Sequence, residues 1–353
     1  MKINTEDLQN ILDKATASGE ECGCQLVIFK DGKPLVNLVS GYTGPERIKK
    51  VTEHTLFPVY SCGKAVVSTA VHRLVKQGKL SYDDKVADYW KEFGCNGKED
   101  VRLWHILSHR TGLHQLPPEI TFDDMADWEK MCRVMENMTP LWQPGTKSEY
   151  QAETYAWLIG ETIRRAVGKE LKTIISEEIF EPLGIGNDYF FGTDPEIEKR
   201  CADVDSTDLE GNTGWCADVF NCTALRRSFT PSLNGVCNAY AMAKFYSALI
   251  TETDGIRLLD DAVLQNSTRI CRWENDPIPP EGTWAVFGLG YVLSGKDYGE
   301  FYGHGGALGA EGFVHRESGI ALAFVKNRAL RSDPVHPVRD QISLSLGLTP
   351  RVW

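Results

Sequence analysis

Apolar residues recur with two different periods along this chain, and the changes of period divide it into three stretches. Residues 5–17 place Leu8, Ile11, Leu12 and Ala15 at the spacing of one helix face, with Asn4 or Thr5 available as N-cap. The next stretch, CQLVIFKDGKPLVNLVSGY, carries two β-rich runs on either side of Asp31-Gly32, a dipeptide that accepts the positive φ angles of a tight hairpin. From Ser61 to about Phe229 the texture becomes helical, with long loops. Ala65, Val66, Ala70, Val71, Leu74 and Val75 predict a helix that is apolar nearly all round and closes at Gly78, as buried helices do. TYAWLIGETIRRAVG and ELKTIISEEIFEPLGI predict further helices, each closed by Gly or Pro, and PSLNGVCNAYAMAKFYSALIT an amphipathic one. The last third returns to strand patterns in WAVFGLGYVLSG, EFYGHGG and AEGFVHRESGIALAFVKN, the last of these folded at Glu317-Ser318-Gly319. A final helix follows Asp333-Pro334 and runs through Val338, Ile342 and Leu344.

Strands at both chain ends with helices between them predict an α+β fold. One antiparallel sheet of about five strands is built from both termini and flanked by the N- and C-terminal helices, and a mostly helical lobe is inserted into it. On this reading residues 1–60 and 231–353 form a discontinuous sheet domain and 61–230 a helical domain, with the active site between them. A chain of 353 residues also suits two cooperating lobes better than one core.

Composition narrows the partners. A net charge of −11 argues against nucleic acid and against an anionic membrane surface, both of which reward clustered Lys and Arg. The N-terminus is amphipathic, with Glu6 and Asp7 where a signal peptide would be apolar, and no run approaches the ~18 apolar residues that span a bilayer. The expectation is a cytoplasmic protein. Ten cysteines are scattered without metal-ligand spacing, so free thiols are expected, with no metal and no cofactor.

Candidate chemistry begins at Ser61-Cys62-Gly63-Lys64. Three residues of helix bring the two side chains onto one face, where a lysine could take the proton of a serine nucleophile if burial lowered its pKa. Taken alone, this spacing fits an N-cap serine with a surface lysine better. The helix that follows is too apolar for Lys64 to be casually solvated, and a buried lysine needs partners. Further motifs come in order: LWHILSHRTGL, then Tyr150 after Pro144-Gly145, then Gly303-His304-Gly305-Gly306 at a strand end.

With these residues in place, the chain from Phe57 through Arg328 resembles the serine β-lactamase and penicillin-binding-protein superfamily, in its class C β-lactamase-like esterase branch. TLFPVYSCGKAVVSTAV is similar to that family's nucleophile helix, ILSHRTGL to its Leu-Leu-Thr/Ser-His-x-x-Gly-Leu segment, and YGHGGALGAEGFVHRESGIALAFVKNR to the strand of its third motif. The resemblance implies Ser61 as acylated nucleophile, with Lys64 holding or taking its proton. Tyr150, as phenolate or proton relay, would help activate Ser61 and protonate the leaving group. The backbone N–H groups of Ser61 and Ala307 would form the oxyanion hole, and His304, Gly305 and Gly306 the substrate-binding third motif. His109 is assigned to bracing the loop after it. Trp142, Trp215, Phe220, Trp284 and Phe287 could line an apolar acyl pocket, although so many aromatics are more often core.

Two departures bear on the substrate. Tyr150-Gln151-Ala152 stands where penicillin-active relatives have Tyr-x-Asn, and His304-Gly305-Gly306 where they have Lys-Thr-Gly. The first removes an amide partner and the second a fixed cation, which points away from β-lactams and towards uncharged esters. The expected function is therefore a serine hydrolase that cleaves carboxylic esters through an acyl-enzyme, acting on a small-molecule ester or amide. The alternatives are a β-lactamase, DD-peptidase or D-amino-acid amidase, an acyltransferase, or a silent binding protein of the same fold.

Overall fold

The structure, a computed structural model, describes residues 3–207, 221–271, 280, 286–329 and 337–351. The strands are β1 (Gly23–Lys30), β2 (Lys33–Gly41), β3 (Phe57–Tyr60), β4 (Tyr189–Phe191), β5 (Gly235–Cys237), β6 (Val286–Phe287), β7 (Val292–Ser294), β8 (Phe301–Gly305), β9 (Glu311–His315) and β10 (Ile320–Lys326). The principal helices are α1 (Thr5–Ser18), α2 (Gly63–Lys76), α3 (Leu103–Leu107), α4 (Trp128–Asn137), α5 (Tyr155–Val167), α6 (Ala239–Ile250) and α7 (Pro337–Ser345).

Local chemistry explains how the first elements start and turn. The Asn4 side chain accepts from the backbone N–H groups of Glu6 and Asp7 and so caps α1. Asp31 and Gly32 take φ angles of 51° and 76°, and the turn joins β1 to β2. The main sheet runs β2-β1-β10-β9-β8-β7-β6 with antiparallel pairing throughout. At its middle the two chain ends meet, Cys24 opposite Lys326 and Lys30 opposite Ile320.

Among the described residues this sheet has seven strands, of which β1, β2, β8, β9 and β10 have five or more residues. These are the roughly five expected from sequence. Gly288 and Gly290 lie between the other two, and Gly290 is required there: at φ 91° a Cβ on it would fall 2.0 Å from Ser68 Oγ.

Alternation along the strands sends their side chains into two cores. Leu26 and Ile28 of β1 and Ile320, Leu322 and Phe324 of β10 pack with Leu8 and Leu12 of α1 and with Val338 and Ile342 of α7. Their alternates, Val27, Phe29, Ala321, Ala323 and Val325, face the larger core that contains α2, α5 and α6. The sheet lies against α6 so closely that a Cβ on Gly312 would come within 2.2 Å of the Tyr246 ring. A second, three-stranded sheet, β3-β5-β4, was not foreseen from sequence. Pro58 sits in its edge strand β3, where a missing N–H is tolerated. The nine described cysteines are all free, and no group of three or more His, Cys, Asp or Glu among the described residues could hold a metal. No described helix is long and apolar enough to cross a membrane.

Candidate active site

Two chain reversals meet where β3 and β8 end. Tyr60, the last residue of β3, has φ 44°, and Leu308, in the turn after β8, has φ 72°. Side chains this large rarely occupy the left-handed region, at a cost of ~1–3 kcal/mol each, unless surrounding contacts hold them there. Those contacts are shared: Tyr60 and Leu308 are buried together in one small cluster with Val204 and Ala329, with Ala307 against it. Tyr60 immediately precedes Ser61, and Leu308 immediately follows Ala307. The backbone N–H groups of Ser61 and Ala307 are thus each positioned by a strained neighbour, and among the described residues neither has an acceptor.

Gly306 makes the meeting possible. A Cβ there would lie 2.2 Å from Val59 O and 3.3 Å from Cys62 Sγ, so only glycine lets the turn after β8 run against the residues around Ser61. The buried Cys62 thiol adds a link, lying 3.4 Å from His304 O and 3.6 Å from Ala310 O. Ser61 itself stands two residues before α2 rather than within it, its carbonyl accepting from Lys64 N at 3.0 Å, and the positive end of α2 faces it.

Lys64 lies in the first turn of α2 and is fully buried. Its Nζ is 3.1 Å from Ser61 Oγ, 2.8 Å from Ala152 O and 2.9 Å from Ser232 O. Burial lowers its pKa from 10.5 to about 7, against the partial opposition of Glu153. The two carbonyls can only accept. A neutral Lys64 amine therefore spends both its N–H groups on them and leaves its lone pair facing Ser61 Oγ. That is the arrangement of a base.

Tyr150 sits in the loop before α5, half-buried, and its hydroxyl hydrogen-bonds the Ser61 side chain. Its ring stacks on Phe287 with centroids 5.8 Å apart and planes at 6°, and Lys64 Nζ is 5.0 Å from its centroid. Burial pushes its pKa up from 10. The sequence left open a phenolate sustained by Lys64. Burial argues for the relay instead, because Lys64 is no fixed cation near neutrality and desolvation raises the Tyr150 pKa more than its bond to Ser61 lowers it.

His109 holds this loop from both sides. Its carbonyl accepts from Glu149 N at 2.9 Å and its Nδ1 from Gln151 N at 3.1 Å, so Tyr150 is gripped between two backbone bonds. Burial keeps His109 neutral. Gln151 is turned away into the protein, with Nε2 donating to Thr154 Oγ1 at 3.1 Å. His304 is 3% exposed, and its ring centroid is 6.2 Å from that of Tyr150. Its Nδ1 lies 2.6 Å from Gly305 O. Burial, and then Lys64, lower its pKa to about 3. Ser61, Tyr150, Gly305, Gly306 and Ala307 remain partly open, while Lys64 and His304 lie behind them.

The structure therefore brings Ser61, Lys64, Tyr150, His304, Gly305, Gly306 and Ala307 together around one cleft, with His109 against Tyr150. Of the aromatics, Phe287 is in the site and Trp142 is half-buried against His114, 5.2 Å between centroids. Trp215, Phe220 and Trp284 lie outside the described residues. Sequence reasoning missed the carbonyls of Ala152 and Ser232 and the strained Tyr60 and Leu308. No local pattern marks a carbonyl as an acceptor for a lysine 88 or 168 residues away.

Comparisons with known proteins give the family and the fold. The family model described as Beta-lactamase matches residues 8–344. The chain is 29% identical over 343 residues to the esterase/beta-lactamase LipL of Mycobacterium tuberculosis, covering 87% of this chain and 77% of that one. Among solved structures it is similar to a family VIII carboxylesterase, with TM-score 0.85, 25% identity and 98% of each chain covered. It is also similar to a penicillin-binding protein homolog from Caulobacter crescentus, with TM-score 0.82, 28% identity and 97% of each chain covered. The chain belongs to the beta-lactamase family and is a serine hydrolase with that fold.

Proposed function

We propose that this member of the beta-lactamase family hydrolyses small carboxylic esters through an acyl-enzyme on Ser61. The observation that carries the reading is the Lys64 amine, with both N–H groups committed to Ala152 O and Ser232 O and its lone pair left for Ser61. Lys64 takes the Ser61 proton as Oγ bonds to the ester carbonyl carbon, and the oxyanion forms against the amides of Ser61 and Ala307. Tyr150, protonated and bonded to Ser61, gives its proton to the departing alkoxide and is reprotonated by the Lys64 ammonium. Water then adds to the acyl carbon with its proton passing to Lys64, and Ser61 leaves by the reverse path. Gly305 and Gly306 keep the cleft wall thin beside Ala307. The division into a sheet domain of 1–60 and 231–353 and a helical domain of 61–230, with this cleft at their junction, is part of the same proposal.

The name of the mycobacterial relative joins two activities, and a β-lactamase remains the second reading. Against it stands His304, neutral where recognition of a drug carboxylate asks for a cation. The experiment is p-nitrophenyl butyrate turnover by wild type and Ser61→Ala, beside nitrocefin turnover by wild type. Loss of butyrate turnover in the variant is expected. Turnover that survives Ser61→Ala refutes the assignment, and nitrocefin hydrolysis rivalling that of the ester overturns the substrate class.

A further inference from the structure

Lys64 owes the direction of its lone pair to two carbonyls from distant parts of the chain. Ala152 O lies in the loop before α5, and Ser232 O lies in the turn before β5. That turn is closed by Thr230 O, which accepts from Leu233 N at 2.7 Å and from Asn234 N at 3.1 Å. On the proposed division of the chain, the first carbonyl belongs to the helical domain and the second to the sheet domain. The N–H bonds of a neutral amine stand at a fixed angle to each other and to the lone pair. If the two acceptors drift apart, the amine follows only one of them, and the lone pair swings off Ser61 Oγ, 3.1 Å away.

A side chain ties these two segments together. The Ser232 hydroxyl donates to Glu153 O at 3.2 Å, across 79 residues of sequence. Glu153 O is the next carbonyl after Ala152 O, so the hydrogen bonds close a ring. It runs from Lys64 Nζ to Ala152 O, along the chain to Glu153 O, across to Ser232 Oγ, and back through Ser232 O to Lys64. Ser232 is 1% exposed, which leaves its hydroxyl little water to turn to instead. Tyr150 has separate supports upstream of this link, the bonds that His109 makes to Glu149 N and Gln151 N. The ring therefore bears on Lys64 rather than on Tyr150.

We infer that Ser232 is a positioning residue for acyl transfer: by bonding Glu153 O, its hydroxyl fixes the spacing of the two carbonyls that aim the Lys64 amine at Ser61. The inference rests on the acyl-enzyme reading above and adds to it the group that holds the base in register.

The test begins with Ser232→Ala, which removes the hydroxyl and leaves both carbonyls in the chain. Its control is Ser247→Ala, which takes an equally buried hydroxyl from α6, where it bonds Thr253 at 2.8 Å. Lys64 takes a proton in acylation and again in deacylation, so both steps slow together when its aim is lost. In Ser232→Ala, kcat for p-nitrophenyl butyrate should fall about tenfold or more with KM held, while Ser247→Ala keeps the wild-type kcat. A second ester shows through which group Ser232 acts. Ethyl butyrate needs a leaving-group proton from Tyr150, whereas p-nitrophenolate departs without one. Loss of aim at Lys64 should lower kcat/KM by the same factor for both esters. A loss confined to ethyl butyrate places Ser232 with Tyr150 and overturns the inference. So does a kcat in Ser232→Ala that falls no further than in Ser247→Ala. Ser61→Ala separates the two levels: turnover that survives it refutes the underlying acyl-enzyme reading, whereas an inactive Ser61→Ala beside a fully active Ser232→Ala refutes the role of Ser232 alone.

Discussion

Replacing Lys64 with Met should make the protein inactive and, below neutral pH, more stable. Met keeps the unbranched apolar stem in a site with no exposed surface and removes the charge. The fall of the Lys64 pKa from 10.5 to about 7 is worth about 5 kcal/mol, at roughly 1.4 kcal/mol per pH unit. Its sign follows from the protons bound. Between pH 7 and 10.5 the folded state has released the Lys64 proton and the unfolded state still holds it, so wild-type stability gains from this group as pH rises. Below pH 7 both states are protonated and the full penalty of a buried ammonium stands. Met carries no such penalty at any pH. It does leave Ala152 O and Ser232 O without their donors, at about 1–1.5 kcal/mol each.

The variant should therefore exceed wild type by about 2 kcal/mol at pH 6 and fall below it by a similar amount near pH 10. Urea unfolding followed by tryptophan fluorescence on both proteins, from pH 6 to 10, reads this directly, because the contributions of other titrating groups cancel in the difference. The quantity that matters is the slope of that difference, about 1.4 kcal/mol per pH unit above pH 7. A difference that does not change with pH would refute the view of Lys64 as a buried amine, and with it the base assigned to Ser61.

Three further outcomes follow from the same geometry. Tyr150→Phe keeps the ring stacked on Phe287 and removes only the proton relay, so kcat should fall ~10²–10⁴-fold while KM and the urea midpoint hold; an unchanged kcat removes Tyr150 from the chemistry. Leu308→Gly relaxes the left-handed residue after Ala307 and should lower kcat on the order of tenfold with KM little changed, because the oxyanion amide is no longer held in place; parallel changes in both constants would mark a loss of binding instead. Arg351→Leu removes the Arg351 guanidinium from the fully buried Glu311, with Arg339 still 3.7 Å from it, and should cost about 3–5 kcal/mol by urea unfolding, most of it recovered when Glu311 is replaced by Leu as well.

How much of this was legible in the sequence depends on how local each determinant is. The Asp31-Gly32 turn, the alternation of β1 and β10 and the all-round apolar face of α2 are properties of neighbouring residues, and the pattern of the chain is enough to place them. Ser61, Lys64, Tyr150 and His304 were singled out because their motifs follow one another in order and resemble those of a known family, not because any one stretch marks its residue. The sheet β3-β5-β4 was not, since strands of three or four residues carry too short a pattern to separate from loop. Nor were the φ angles of Tyr60 and Leu308. Bulky side chains argue against the left-handed region locally, and it is Val204 and Ala329, brought from distant segments, that impose it. The choice between phenolate and proton relay for Tyr150 stayed open in the sequence for a related reason: proximity to a lysine can be inferred from a motif, but the burial that neutralises that lysine is a property of the assembled core.

That neutrality is the feature from which the chemistry of the cleft follows. His109 and His304 are kept uncharged by burial, Tyr150 keeps its proton, and Lys64 is balanced near neutrality; the half-buried Glu153 carboxyl beside Lys64 brings, if anything, negative charge. Among these described residues a substrate that arrives with an anion thus finds no fixed cation to pair with. In the proposed mechanism the negative charge that develops on the carbonyl oxygen during attack is different, because it appears against the amides of Ser61 and Ala307 at the moment Lys64 becomes an ammonium. Attraction is concentrated in the transition state and largely absent from the ground state, which is the condition under which binding energy raises kcat rather than merely lowering KM. By the same logic, a cation introduced at residue 304 would improve the binding of anionic substrates without helping the attack step. On the proposed mechanism, histidine in place of lysine at the third motif therefore changes which esters enter while leaving the acyl-transfer machinery in place.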